Sequence, residues 1–271
     1  MAPAADHTST TPAPGHGLDD GTVLISTTFP RLPLPANDAR SHIHTARLLV
    51  RPLQQSDLAG LHALRSQPEA MTGTRLGRPD QDLAETQTEL DFFLGRSRKA
   101  EGEEEGCGNP STYLWGAFLQ STGELIGEGG VHTLVSDDAV AGWPEIGYKF
   151  RKEHWGHGYA TEFLDAVLGG LVGAAAQCGD CEVTAAAAAA VADGDVSGVD
   201  GSDDVAAAAA TEHVYANAEP SNVGSCRVLE KLGFRRFHAW TEPDTQLHRI
   251  GEPLHLAGYL LASPGPSCAN E

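Results

Sequence analysis

Gly156 and Gly158 lie in Trp155-Gly-His-Gly-Tyr-Ala160, between the apolar-rich run Glu145 to Phe150 and a segment with apolar residues at helical spacing. Glycine lets a backbone come close to a ligand, and the first N–H groups of a helix point outward without partners. A strand, a glycine turn and a helix start in that order make a cradle for an anion such as a phosphate. A second group worth chemistry is Asn222-Val-Gly-Ser225, with Cys226 beside it. Standing before an apolar-periodic stretch, Asn-x-x-Ser reads on its own as a helix N-cap. Cys226 has no identifiable histidine partner, so nothing points to a covalent thiol intermediate. Cys178-Gly-Asp-Cys181 is a lone CxxC without a second pair, and no metal site is expected there. His154 and His157 read as exposed loop histidines.

The elements that must position these groups follow from pattern. Thr45 to Pro52 predicts a strand closed by proline. Ser56 or Asp57 can cap a helix with Leu58, Leu61 and Leu64 on one face, and Pro68 lies past its end. A second helix is predicted from Pro79 to about Lys99, with Leu83, Leu90 and Leu94 inward. Tyr113–Leu119 and Glu124–Val131 flank Ser121-Thr-Gly123 and predict a hairpin. Glu145–Phe150 is the next strand, and the helix opening at Tyr159 buries Phe163, Val167, Leu168 and Leu171. His213–Ala216 reads as a short strand. Val228, Leu229 and Leu232 then form a helix face that stops at Gly233. Phe234–Trp240 and Leu254–Leu261 are the last two strands.

Composition bounds the rest. The net charge of −19 excludes nucleic acid as an expected partner and disfavours anionic membranes. Five cysteines without a regular framework do not describe a secreted disulfide scaffold. The start of the chain has neither a basic nor an apolar leader pattern, so a cytoplasmic location is expected, with the nucleus left open. Residues 1–40, rich in Pro, Thr, Ala and Gly, read as a disordered tail. Residues 41–262 read as a single domain, interrupted at 179–211 by a low-complexity Ala/Gly/Asp insertion. Residues 263–271 read as a frayed end. A long surface insertion of this kind costs little free energy.

Three blocks carry a family resemblance. Trp155-Gly-His-Gly-Tyr-Ala-Thr-Glu162, Asn222-Val-Gly-Ser-Cys-Arg-Val-Leu-Glu-Lys-Leu-Gly-Phe234 and Thr45-Ala-Arg-Leu-Leu-Val-Arg-Pro52 resemble the GNAT acetyltransferases of the RimJ/RimL-like branch. The resemblance implies a mixed α/β fold, with a central, mostly antiparallel twisted sheet and helices on both faces. Two neighbouring parallel strands, 145–150 and 213–216, would splay apart to admit acetyl-CoA. It also implies that Trp155, Gly156, His157, Gly158, Tyr159 and Ala160 hold the pyrophosphate. Ile146, Tyr148 and Phe150 would supply the strand edge for pantetheine, and Asn222 and Ser225 would lie beside the cofactor's arm.

The implied reaction is direct attack of an amine, from a protein N-terminus or a small molecule, on the thioester. Glu145, at the head of the strand beside the thioester, is the candidate base. An α-amino group with a pKa of about 7.7–8 needs only a weak base. Many relatives carry a tyrosine seven residues after the Asn as the acid, and this chain has Leu229 there. That leaves Ser225 or water to meet the departing thiolate. It also keeps a non-catalytic acyl-CoA-binding protein as the alternative. His132, His213 and Tyr215 are candidates to line the acceptor cleft, against ordinary strand packing. Arg47 and Arg51 read as exposed strand residues. The acceptor and the oligomeric state are unspecified by the sequence.

Overall fold

Alternation along one strand divides the interior of this protein into two cores. On β4 (Tyr113–Leu119), Tyr113, Trp115 and Ala117 are buried in one cluster, and Leu114 and Phe118 in another. The first cluster holds Phe163, Leu164, Val167 and Leu171 of α4 (Tyr159–Gly173) and Leu229 of α5 (Val223–Lys231). The second holds Leu61 and Leu64 of α1 (Leu58–Arg65) and Leu90 and Phe93 of α3 (Leu83–Phe93). Successive side chains of a strand point to opposite faces, so a sheet buried on both sides needs helices on both. The computed structural model describes residues 22–27, 37–74, 76–96, 112–133, 143–173, 179–184, 213–246 and 248–262.

The remaining strands are β1 (Thr22–Thr27), β2 (Ile43–His44), β3 (Leu48–Arg51), β5 (Leu125–Thr133), β6 (Glu145–Phe150), β7 (Gly179–Thr184), β8 (His213–Ala218), β9 (Arg235–Pro243) and β10 (Pro253–Ala262). Eight of them form one sheet in the order β2-β3-β4-β5-β6-β8-β10-β9. Every pairing in it is antiparallel except β6 with β8. The predicted hairpin is β4–β5, turning where Gly123 takes φ 74. The mixed fold and its helices on two faces are as the sequence predicts.

Three expectations need correction. The second helix begins at Leu83, not Pro79, and ends at Phe93. Asp82 caps it by accepting from the Glu85 N–H at 2.9 Å, which leaves Leu83 on the outer surface, 48% exposed. Asp57 precedes α1 without capping it. Its carboxylate instead takes two hydrogen bonds from Arg51, each 2.8 Å, and one from the Gln54 N–H at 2.7 Å. Finally, the stretches 1–40 and 179–211 are not wholly without structure. β1 and β7 pair antiparallel, from Thr22 opposite Thr184 to Thr27 opposite Gly179. Thr22-Val-Leu-Ile and Cys181-Glu-Val-Thr are rich in strand formers, and a ladder between such distant segments leaves no mark in local composition. The residues 185–211 and 263–271 lie outside those described.

The segment ahead of α3 is fastened to α1 by buried charge. Arg65 donates to both oxygens of Asp80, at 2.7 and 2.9 Å, with side chains 6% and 0% exposed. Thr86 donates to the same carboxylate at 2.7 Å. Removing one member of such a pair strands the other charge in the interior. Asp80→Ala is therefore expected to destabilise the protein by about 3–5 kcal/mol, read as a fall in the urea midpoint. An unchanged midpoint would contradict this account.

Candidate functional site

β6 and β8 share one registered pair, Glu145 opposite Tyr215, reinforced by the Tyr215 N–H donating to Pro144 O at 2.8 Å. Beyond it the two parallel strands part. β6 stays laddered to β5 and β8 to β10, so the gap opens between two well-held halves of the sheet. β5 can lie tight against β6 because a Cβ on Gly129 would stand 2.4 Å from Gly147 O. At the closed end of the gap, Asn217 Nδ2 of β8 donates to Glu145 Oε1 at 2.9 Å. No pattern in the sequence points to Asn217. Its role exists only because β8 lies beside β6.

The other end of β6 runs into the glycine turn. Trp155 folds back so that its indole N–H donates to Phe150 O at 2.7 Å, while its ring remains 48% exposed. Gly156 and Gly158 have φ of 75° and 79°, in the left-handed region that disfavours side chains. A Cβ on Gly156 would meet nothing within 4 Å, so the turn faces open space. The Glu162 N–H is bonded to Gly158 O at 3.1 Å. By helix geometry, the N–H groups of Tyr159, Ala160 and Thr161 lack intrahelical acceptors, and the positive end of the α4 dipole lies with them. His157 is exposed and stacks on Tyr159 with ring centroids 5.9 Å apart.

This turn is held from the far side of the sequence. Glu162 accepts from Thr45 Oγ1 at 2.5 Å, the Arg47 N–H at 2.8 Å and Arg47 Nε at 2.7 Å. Arg47 also donates to His157 O at 2.8 Å and lies over the Tyr159 ring at 4.4 Å. Arg47, which reads in the sequence as an exposed strand residue, thus fastens the glycine turn. From the side of α2 (Pro68–Met71), Gln67 accepts from the Lys152 N–H and donates to Glu153, both at 2.8 Å.

The α5 end supplies the remaining predicted residues. Asn222 caps α5 by accepting from the Ser225 N–H at 3.1 Å, as its pattern suggests. Tyr148 points from β6 toward Ser225 and Cys226. Ile146 and Phe150 are each only 4% exposed and belong to the core, so on this strand they can offer a ligand backbone alone. Leu229, at the position of the missing tyrosine, is buried in the same core. His213 and Tyr215 are also buried, His213 edge-on to Trp143, so neither lines an open cleft. His132 does reach solvent, close over Gly147, where a Cβ would meet its Nε2 at 3.0 Å. Among the described residues no cluster of three or more His, Cys, Asp or Glu is arranged to hold a metal. The CxxC side chains lie outside the described ones. Among the described residues no helix is long and apolar enough to cross a membrane.

Sheet order, the single parallel parting and the glycine turn define an acetyltransferase of the GNAT type. The family profile described as an acetyltransferase (GNAT) domain matches residues 47–235, most of the chain, and the chain belongs to that family. It is 30% identical over 133 residues to the Bacillus subtilis protein YkkB, covering 48% of this chain and 68% of YkkB. A stretch of 54 residues is 41% identical to Bacillus subtilis YoaA, described as an N-acetyltransferase, covering 20% of this chain and 29% of YoaA. Among solved structures, a GNAT-family acetyltransferase from Bacillus anthracis superposes with a TM-score of 0.52 at 17% identity, over 82% of this chain and 99% of that one. RimJ of Mycobacterium smegmatis, in complex with CoA-disulfide, superposes with a TM-score of 0.51 at 15% identity, over 80% of this chain and 82% of that one. At these identities the likeness is one of fold.

Burial pushes the Glu162 carboxyl up, but the hydrogen bonds from Thr45 and Arg47 outweigh it and hold the carboxyl below its ordinary value. A depressed carboxyl pKa means stabilisation that is present above the unfolded value, about 4.3, and lost as pH falls through the folded one. Glu162→Gln is expected to cost about 1–3 kcal/mol at pH 7. The difference from wild type should shrink as pH falls below about 4. Unfolding curves at pH 7, 5 and 3 check this, and a constant difference would remove the charge from the explanation.

Proposed function

We propose that the gap between β6 and β8 takes acetyl-CoA and that the protein passes the acetyl group to an amine, as a RimJ/RimL-like N-acetyltransferase. The observation that carries this reading is the parting of two parallel strands after one pair, directly above a turn with two left-handed glycines and a helix N-terminus. Pyrophosphate oxygens would be met by the N–H groups around Gly156 to Ala160. The pantetheine amides would pair with the β6 edge that β8 leaves open, in the manner of an added strand. RimJ of Mycobacterium smegmatis, which shares this fold, was solved with CoA-disulfide bound, and that supports the same ligand class here.

Glu145 stands at the closed end of the gap, next to where the thioester would stop, with Asn217 donating to one of its oxygens, and it is the base of this reading. The acceptor is a protein N-terminus or a small amine. The acidic chain suits a cationic acceptor, since opposite charge raises the encounter rate.

Calorimetry with CoA tests the site. Thiol release from acetyl-CoA across N-terminal peptides and small amines tests turnover and separates an enzyme from a mere binder. Gly156→Glu, which strains a left-handed position and puts a carboxylate where phosphate would lie, is expected to abolish CoA binding. Unchanged affinity would overturn the placement. Glu145→Gln is expected to lower kcat by about 10²-fold or more while changing CoA affinity little. Equal turnover from pH 6 to 9 would remove Glu145 as the base.

A further inference from the structure

On the side of the sheet away from α4 and α5, a row of residues runs from Glu145 across β8 and β10 to β9. Asn217, which donates to the Glu145 carboxylate, lies opposite Gly258 of β10, and Gly258 lies opposite His238 of β9. Directly opposed residues share a face. Here it is the face away from those helices, because the neighbours Ile146, Ala216, Ala218, Ala257 and Tyr259 all belong to the α4–α5 core. Gly258 leaves a floor that the ring of Phe237 covers, since a Cβ there would stand 2.9 Å from it.

Phe237 reaches this face through a bulge. Gly258 pairs with His238 and Tyr259 with Arg236, so Phe237 is an extra residue of β9 with no partner of its own on β10. In a regular strand, residues 237 and 238 would point to opposite faces. The bulge re-aims one of them, and both rings lie on the same face with centroids 6.0 Å apart. His238 in turn stacks on Trp240, with centroids 5.5 Å apart and planes 14° from parallel, and the indole N–H donates to Glu242 at 2.7 Å. An indole whose polar atom is already paired has only its apolar ring to offer. Phe237 is 36% exposed, His238 is exposed and Trp240 is half-buried, so the three rings form a solvent-facing strip outside the core. Contiguous apolar surface marks a binding site, where single scattered residues do not.

We propose that this strip is the acceptor side of the site and that it selects an amine carrying an aromatic ring a few bonds from its nitrogen. The inference rests on the acetyl-CoA reading above. With the amine at Glu145, its substituent runs over Asn217 toward β10, which lies about 5 Å further on, the spacing of neighbouring strands. There its ring meets Phe237, and His238 and Trp240 continue the strip one strand beyond. Aromatic pairs gain from offset or edge-on contact beyond the area they bury, so a flat ring is favoured over an aliphatic ring of similar size. A free arylalkylamine and an aromatic residue at a peptide N-terminus present this same chemistry.

Thiol release from acetyl-CoA is measured with 2-phenylethylamine against 2-cyclohexylethylamine, and with peptides beginning with Phe against peptides beginning with Leu. In wild type the aromatic member of a pair should have a KM about 3–10-fold lower. A preference in the free amines assigns a small-molecule acceptor, and one in the peptides a protein N-terminus. Phe237→Leu, which keeps an apolar cover over Gly258, should erase the preference through KM, and Phe237→Tyr should retain it. Equal KM values within both pairs in wild type overturn the proposal, whatever the variants do. A preference that survives Phe237→Leu overturns it too. Failure of wild type to bind CoA, or to release thiol with every amine, brings down the transferase reading instead. Calorimetry with the two free amines then decides the strip by itself: tighter binding of the aromatic amine supports it, and equal or no binding overturns it.

Discussion

The site depends on β6 and β8 being neighbours that pair once and then separate. Each is committed on its outer side, β6 to β5 and β8 to β10, so neither can follow the other as the sheet twists. The separation leaves main-chain groups of β6 unclaimed by β8, in the middle of an eight-stranded sheet. An interior strand edge without its partner is costly unless something fills it. The glycine turn and the start of α4 lie at the open end of this gap, and Glu145 with Asn217 at the closed end. The glycine turn and the Glu145 carboxylate are therefore separated along a single strand.

What keeps the open end in place is a carboxylate from the first turn of α4. Glu162 gathers Thr45 and Arg47, and Arg47 then reaches the carbonyl of His157 and the face of Tyr159. Three charge-assisted contacts on a weakly exposed carboxylate hold better than the same pairs on an open surface. Two motifs more than a hundred residues apart, Thr-Ala-Arg at 45–47 and Gly-Tyr-Ala-Thr-Glu at 158–162, thus form one fastening. A turn made of two left-handed glycines would otherwise lose its shape readily, because glycine has the most conformational freedom to lose on folding.

Much of this is legible along the chain. The glycine turn, the Asn222 cap and the Gly233 stop are local devices whose geometry depends on residues within a few positions, and each falls where its pattern places it. Periodicity also finds the buried faces of α4 and α5. The start of α3 is harder to read, because Asp82 competes with Pro79 as a beginning and only the cap geometry decides between them. Arg47 and Asn217 escape in their present roles for one shared reason. Each acts on a residue brought near by sheet order, and no spacing rule connects them to it.

The amino-acid sequence by itself determined the class of the protein, the two-glycine turn and the absence of a tyrosine at position 229. These follow from residue types and short spacings, which govern dihedral angles and helix ends directly. Tertiary structure alone decided that Asn217 meets Glu145, that His213 and Tyr215 are core, and that His132 reaches solvent. The physical reason is that pairing, burial and hydrogen-bond satisfaction are properties of neighbours in space, and those neighbours here come from distant parts of the chain.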